Sequence, residues 1–193
     1  MITKWKREDV RTSFEMVDID SLVPKSHPLR KIEDAVDWES VYVAAEPFYS
    51  VGTGRPAIDP AVIVRIILLV RTQKKATVRT VLKNASDSIA MRWFIGYCLS
   101  ERLPSVSAVS SAIAERFDEA SLVRILEGVI KDIYTKRAAS ATALGMPTKA
   151  KLRPRAAGYE ERLNDACNAA AKKAVRAVLR ELTVKKRTKI KEA

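Results

Sequence analysis

Residues 52–70 run "GTGRPAIDPAVIVRIILLV". The stretch admits three readings: a phosphate loop, a membrane anchor, or the start of a buried helix. Gly52-Thr53-Gly54-Arg55 lacks the G-x-x-x-x-G-K-S/T spacing that wraps phosphates with backbone N–H groups. Two glycines one residue apart suit a plain turn. A spanning helix needs roughly 18 or more consecutive apolar residues, whereas the run from Ala61 to Val70 is interrupted by Arg65 and closed by Arg71. The buried helix fits every residue. Asp59 can accept the free N–H groups of a first turn, and Pro60 suits the first helical position because its missing N–H would be unpaired there anyway. Val62, Ile63, Ile66, Ile67 and Val70 then recur at helical spacing, with Leu69 beside them. The pattern predicts a core helix from about Pro60 to Gln73, each such side chain worth roughly 1.5–3 kcal/mol on burial before entropy is charged. Gly54-Arg55-Pro56 and Asp59-Pro60 are thus a turn and a cap, and the capping role of Asp59 is complete without a metal.

Working outward, glycine is sparse and strand-like alternation is hard to find, so the chain reads as all-α: a compact multi-helix domain. "HPLRKIEDAV" after Ser26 predicts a short helix with Pro28 in its first turn. Asp37 caps a second, "WESVYVAAEPFY", which Pro47 disturbs near its end. After the core helix come "TVRTVLKNA", then "IAMRWFIGY" with Ser88 as cap and Gly96 as stop. Ser105 or Ser107 starts a helix ending near Phe117, and Glu119 to about Arg137 is a long one. Residues 138–158, with two prolines, small residues and basic charge, predict a linker between a 1–137 domain and a basic amphipathic helix and tail at 159–193. On that last helix Val175, Val178, Leu179 and Leu182 form a narrow apolar stripe, and Lys172, Arg176 and Arg180 stack on another face.

The 193 residues carry a formal net charge of +12, which favours a polyanionic partner, most often nucleic acid. The charge is uneven. Residues 1–50 hold 7 Lys/Arg against 10 Asp/Glu, and 101–150 hold 7 against 6. Residues 51–100 hold 8 against 2, and 151–193 hold 13 against 5, so the excess sits in two separate blocks. Two cysteines and one histidine, His27, assemble no finger-like metal set. No apolar signal segment opens the chain. A cytoplasmic setting, no cofactor and no membrane partner are the expectation.

The stretch from about Phe14 to Arg137 resembles the N-terminal helical domain of bacterial insertion-sequence transposases of the InsH-like type. "LVPKSHPLRKI" at 22–32 is similar to the family's opening motif, "FYSVGTGRPAIDPAVIVRIILL" at 48–69 to its most recognisable one, and "AMRWFIGYCLSERLPSVSAVSSAIAERF" at 90–117 to a later segment. The resemblance implies a helical domain that helps bind the element's DNA ends, placed before an RNase-H-like core whose three acidic residues hold two divalent metals. Two departures follow. The family often places a His and several arginines at 104–117, where this chain has only Arg116. No Asp or Glu occurs between Asp132 and Glu160, and Asp165 and Glu181 lie sixteen residues apart on one predicted helix. That is about 24 Å at 1.5 Å per residue, far beyond the roughly 3.5–4 Å between two catalytic metals. The expectation is a transposase domain truncated before its catalytic core, as a frameshift would leave it, with no catalytic and no metal-binding residues.

Arg71, Lys74, Lys75, Arg79 and Lys83 cluster around the turn after the core helix. The segment that follows reads as helix-turn-helix with Ile89–Tyr97 as second element, giving phosphate contacts from the cluster and Arg92 as reader of a base. Lys172, Arg176 and Arg180 are the candidate nucleic-acid contacts of the tail. Trp93 and Phe94 suit a core better than a stacking platform. His27 has no nucleophile to pair with, and Ser105, Ser107, Ser110 and Ser111 suit caps and helix surface. The reading is a non-catalytic, transposase-derived DNA-binding domain whose partner is double-stranded DNA at insertion-sequence ends. Its rivals are an interaction module forming inactive oligomers with full-length transposase or with itself, and a decayed reading frame.

Overall fold

In the computed structural model the described residues are 16–49, 57–73, 76–136, 144–147, 149–152, 154 and 157–191, with the backbone alone described at 149–150 and 182–191. Every regular element among them is helical. The order is α1 (Ile19–Leu22), α2 (Pro28–Glu33), α3 (Trp38–Ala45), α4 (Pro60–Thr72), α5 (Val78–Asp87), α6 (Ile89–Ile95), α7 (Val106–Arg116), α8 (Glu119–Lys136), α9 (Lys149–Leu152) and α10 (Tyr159–Lys191).

The predicted core helix is α4. Asp59 Oδ1 accepts the Ala61 N–H at 2.7 Å, Pro60 occupies the first turn, and the Tyr42 hydroxyl donates to Asp59 Oδ2 at 2.9 Å. Nine of its thirteen residues are buried. So wide a buried surface suits a helix enclosed on several sides, and α4 packs against α3, α5, α6 and α10. Turn residues 50–56, with Gly54, Arg55 and Pro56, lie outside the described residues.

Local chemistry sets the other boundaries. His27 Nδ1 accepts the Leu29 N–H at 3.2 Å, so the lone histidine is the cap of α2. Asp37 caps α3, which gives way at Pro47 to a single 3-10 turn, Glu46–Phe48. Ser88 caps α6, and Gly96 ends it at φ 94°, a left-handed conformation that a Cβ would disfavour. Ser105 caps α7, its Oγ accepting the Ala108 N–H at 3.1 Å.

Arg65 is the charge that interrupts the apolar run, and it has its own niche. Its Nη2 donates to Glu33 Oε1 at 2.5 Å, and its guanidinium lies 4.0 Å from the Trp38 ring centroid. Burial pushes the Glu33 carboxyl above the usual range, against the pull of Arg65. Phe94, fully buried, meets Trp38 edge-on at 6.5 Å.

Helix α10 packs along α8 and α4. Leu163, Cys167, Ala170, Ala171, Ala174, Val175 and Val178 are its buried face. Leu179 packs partly buried, and the Leu182 side chain lies outside the described residues. Polar rungs fix the register: Arg176 to Glu119 at 3.1 Å, Asn168 to Glu127 at 2.9 Å, and Lys131 to Asn164 at 3.0 Å. Partners that rise along α8 fall along α10, so the two helices run antiparallel. Within 138–158, the span expected as a linker, Leu144, Met146 and Leu152 are buried and Lys149–Leu152 is helical.

Two outcomes test this packing. Asp59→Ala should cost about 0.5–2 kcal/mol of stability, and Ile66→Asp should cost more because it buries an unpaired charge; a thermal melt in which Ile66→Asp matches the parent would remove α4 from the core. Cys98 is exposed and Cys167 buried, with burial and the neighbouring Glu127 charge pushing the Cys167 thiol up to about 11. A thiol reagent at pH 8 should therefore modify one cysteine in the folded chain and both after denaturation. Equal rates for the two would detach α10 from α8.

Candidate nucleic-acid interface

The two basic blocks of the sequence meet in space. Glu181 on α10 accepts the Val78 N–H at 2.8 Å, bonding the tail helix to the first residue of α5 across 103 positions. Thr77 Oγ1 accepts the Thr80 N–H at 3.1 Å, so two N–H groups of this helix start are satisfied from different parts of the chain. A carboxylate here is also favoured by the partial positive charge of a helix N-terminus.

The sequence neighbours of the bonded pair are both basic. Arg79 follows Val78, and Arg180 precedes Glu181; both are exposed. One turn along α5 is the exposed Lys83, and successive turns back along α10 bring the exposed Arg176 and Lys172. Two ridges of cations at helical spacing thus start from a single hydrogen bond. Arg176 shares its charge with Glu119 in an ion pair whose side chains are 60% and 49% exposed. Such pairs contribute about 0–1 kcal/mol and yield readily to a competing anion. Past Glu181 the helix continues to Lys191 through five more basic residues and no acidic one. Lys74 and Lys75, at the turn before α5, lie outside the described residues.

Two candidate residues sit apart from this surface. Arg71, in the last turn of α4, is half-buried, and a Cβ placed on Gly145 would fall 2.5 Å from its Nη2. Its guanidinium is therefore covered by the 144–147 segment. Arg92 Nη1 donates to the Cys98 and Glu101 carbonyl oxygens, at 2.6 Å each, pinning the loop that leaves α6.

The two helices expected to form a helix-turn-helix are present as α5 and α6, but one residue, Ser88, joins them, where that motif uses a turn of three or four. Both α1 and α2 pack on α6. The Trp93 indole donates to Asp20 Oδ1 at 2.9 Å, and the Arg30 guanidinium lies 4.7 Å from its ring centroid. Hydrogen bonds from Arg30 and Trp93 hold the Asp20 carboxyl below its ordinary value. Sequence reasoning placed Trp93 in the core; it is half-buried under this clamp. The outward side of α6 is thus occupied by the chain itself.

On α3 a shallow groove of about 420 Å³ is lined by Glu39, Tyr42, Val43, Glu46, Tyr49 and Pro60. Its two carboxylates make it a poor place for a polyanion. Among the described residues no three His, Cys, Asp or Glu side chains converge as a metal site would require, and no helix is long and apolar enough to cross a membrane.

The sequence missed the Glu181 contact. Its signal was a lone acid in the strongly basic later part of the helix: residues 172–191 hold nine Lys/Arg and Glu181.

No curated protein and no solved structure gives a significant match to this chain. The model of one protein family, described as "Transposase domain (DUF772)", matches residues 17–115. That interval runs from just before α1 to the end of α7, enclosing α4 with its Asp59 cap and the α5 basic ridge; it stops short of α8 and α10. As the match spans just over half of the 193 residues, the chain belongs to the DUF772 transposase-domain family.

Proposed function

We propose that this transposase-family chain is a duplex-DNA-binding domain that does not itself cut DNA. The observation that carries the reading is the junction at Glu181 and Val78, which makes one basic surface from two blocks far apart in sequence. Exposed lysines and arginines at four-residue spacing suit phosphates, which give affinity and register without sequence information. In this reading Arg79, Lys83, Lys172, Arg176 and Arg180 contact phosphate, with Lys74 and Lys75 as further candidate contacts, and the DNA is an insertion-sequence end. Arg71 and Arg92 serve the scaffold. The chain leaves DNA intact because Asp165 and Glu181 sit too far apart on one helix to share metals.

A second reading, an interaction module for full-length transposase or another copy, draws on the α3 groove. There Val43 is 62% exposed and Tyr42 39% exposed, between two carboxylates. Such a module would lose its partner on substitution of Val43 and be indifferent to the basic ridges.

Point substitutions in the full chain are the right test, because removing α10 would uncover the apolar face of α8. Each phosphate contact lowers log K against log salt by about 0.9, so five contacts from the two ridges predict a slope near −4.5, steeper with the remaining tail cations. Arg79→Glu with Lys83→Glu should flatten the slope by about 2 and leave the melting point unchanged. The bound duplex should stay uncut in Mg²⁺. Loss-free binding after the double reversal would move the DNA surface elsewhere, and failure of the parent chain to bind at low salt would favour the interaction module.

Arg92→Ala separates scaffold from base reader. As a scaffold residue it should lower the melting point and weaken specific and random duplexes alike. A variant of unchanged stability that loses only its preference for the element's end sequence would restore Arg92 as a base contact.

A further inference from the structure

We infer that Glu181 is a positioning residue for DNA binding: an acid kept in a basic helix because its bond to the Val78 N–H aligns the α10 cations with those of α5. The inference rests on the DNA-binding reading above and adds a part that lies outside the matched family interval.

Charge alone argues against an acid at this place. Among residues 172–191 Glu181 is the one acidic residue beside nine basic ones, and on a surface that meets polyanions it repels the ligand. Geometry argues for it. Among the described side chains of α10, the last deep apolar anchor is Val178, fully buried, with Leu179 partly buried behind it. Glu181 is the next turn, and its carboxylate reaches a backbone donor of α5 at 2.8 Å. That bond ties α10 to the start of α5, and the strongly basic stretch 185–191 follows it in sequence. A backbone partner matters here. A salt bridge to Arg79 would draw a cation away from the ligand, whereas the Val78 amide leaves Arg79 and Arg180, on either side of the bond, exposed. The carboxylate sits at a helix N-terminus, whose partial positive charge lessens its local repulsion of phosphate.

Two substitutions at one position separate alignment from charge. Gln keeps an oxygen that can accept the Val78 N–H and removes the negative charge; Ala removes both. Affinity for a 30-base-pair duplex is measured by fluorescence anisotropy across a salt series on the full chain. Exchange of the Val78 amide hydrogen is followed by NMR in the same proteins. Glu181→Gln should bind as tightly as the parent or more tightly, with a protected Val78 amide. Glu181→Ala, despite the same gain in net charge, should bind about 2- to 30-fold more weakly, the span expected for loss of a capping bond. Its salt slope should be shallower and its Val78 amide should exchange faster. If Ala tightens binding as much as Gln does, with the slope unchanged, Glu181 acts only as a charge and the inference falls while the DNA-binding reading stands. If the parent binds no duplex, that reading falls and takes this inference with it. An Ala variant that melts early is replaced by Glu181→Ser, too short to reach the amide, for which the same two outcomes apply.

Discussion

The burial of α4 is the constraint on which the remainder depends. Its apolar side chains point in nearly every direction, so no single neighbour can cover them. Four helices do so together, and the cap at Asp59 fixes where the buried length begins. The Tyr42 hydroxyl, bonded to the same carboxylate, ties α3 to that starting point. A central helix of this kind makes the peripheral ones interdependent. Whatever holds α5 and α10 against α4 also sets where their outward faces lie, and those faces carry the basic charge.

The α8–α10 pair shows how a strongly charged helix is admitted to such a bundle. Its buried face uses small residues, Cys167, Ala170, Ala171 and Ala174, which permit close approach, followed by Val175 and Val178, which fill space. An apolar face alone leaves the axial register loosely specified. Three polar rungs to Glu119, Glu127 and Lys131 supply it. Each is partly exposed and of modest strength, yet their spacing along both helices suits only one alignment. That alignment carries Glu181 to the start of α5.

Much of this was legible in the sequence because it is local. The Asp59-Pro60 start, the Ser88 cap, the Gly96 stop and the break at Pro47 are decided within four residues of themselves. The choice between Ser105 and Ser107 was not, since both precede the same apolar pattern; the Ser105 hydroxyl makes the capping bond. What escaped was mostly non-local, the His27 cap being the local exception. Arg65 visibly interrupted an apolar run, but nothing nearby named Glu33, 32 residues earlier, as its partner. His27 looked idle because histidine is an uncommon cap, and its role needs the ring nitrogen placed at the Leu29 amide. Arg92 suggested base reading, as an arginine does on an open helix, while Trp93 read as a core residue. Packing by α1 and α2 closes that helix, a fact with no signature in residues 89–97. For the basic surface, composition located both blocks of charge but was silent on their meeting.

The net charge of +12 is also less available than composition implies, because the arginines divide by environment. Arg30 lies against the Trp93 ring and donates to the Val23 carbonyl, Arg65 lies over Trp38 with Glu33, and Arg116 lies 5.0 Å from the Tyr49 ring centroid. Arg92 and Arg162 are tied to backbone carbonyls. These side chains use a planar guanidinium for what a lysine does poorly: stacking on rings and bridging acceptors in fixed directions. Recruiting one for a phosphate would break bonds that hold a loop or a helix in place. Arg79, Lys83, Lys172 and Arg180 are exposed instead, and Arg176 has only a weak exposed pair to give up. A polyanion gains most from cations that sacrifice least on meeting it. On that criterion the surface to either side of the Glu181–Val78 bond is favoured over the more conspicuous Arg-Trp pair of α6.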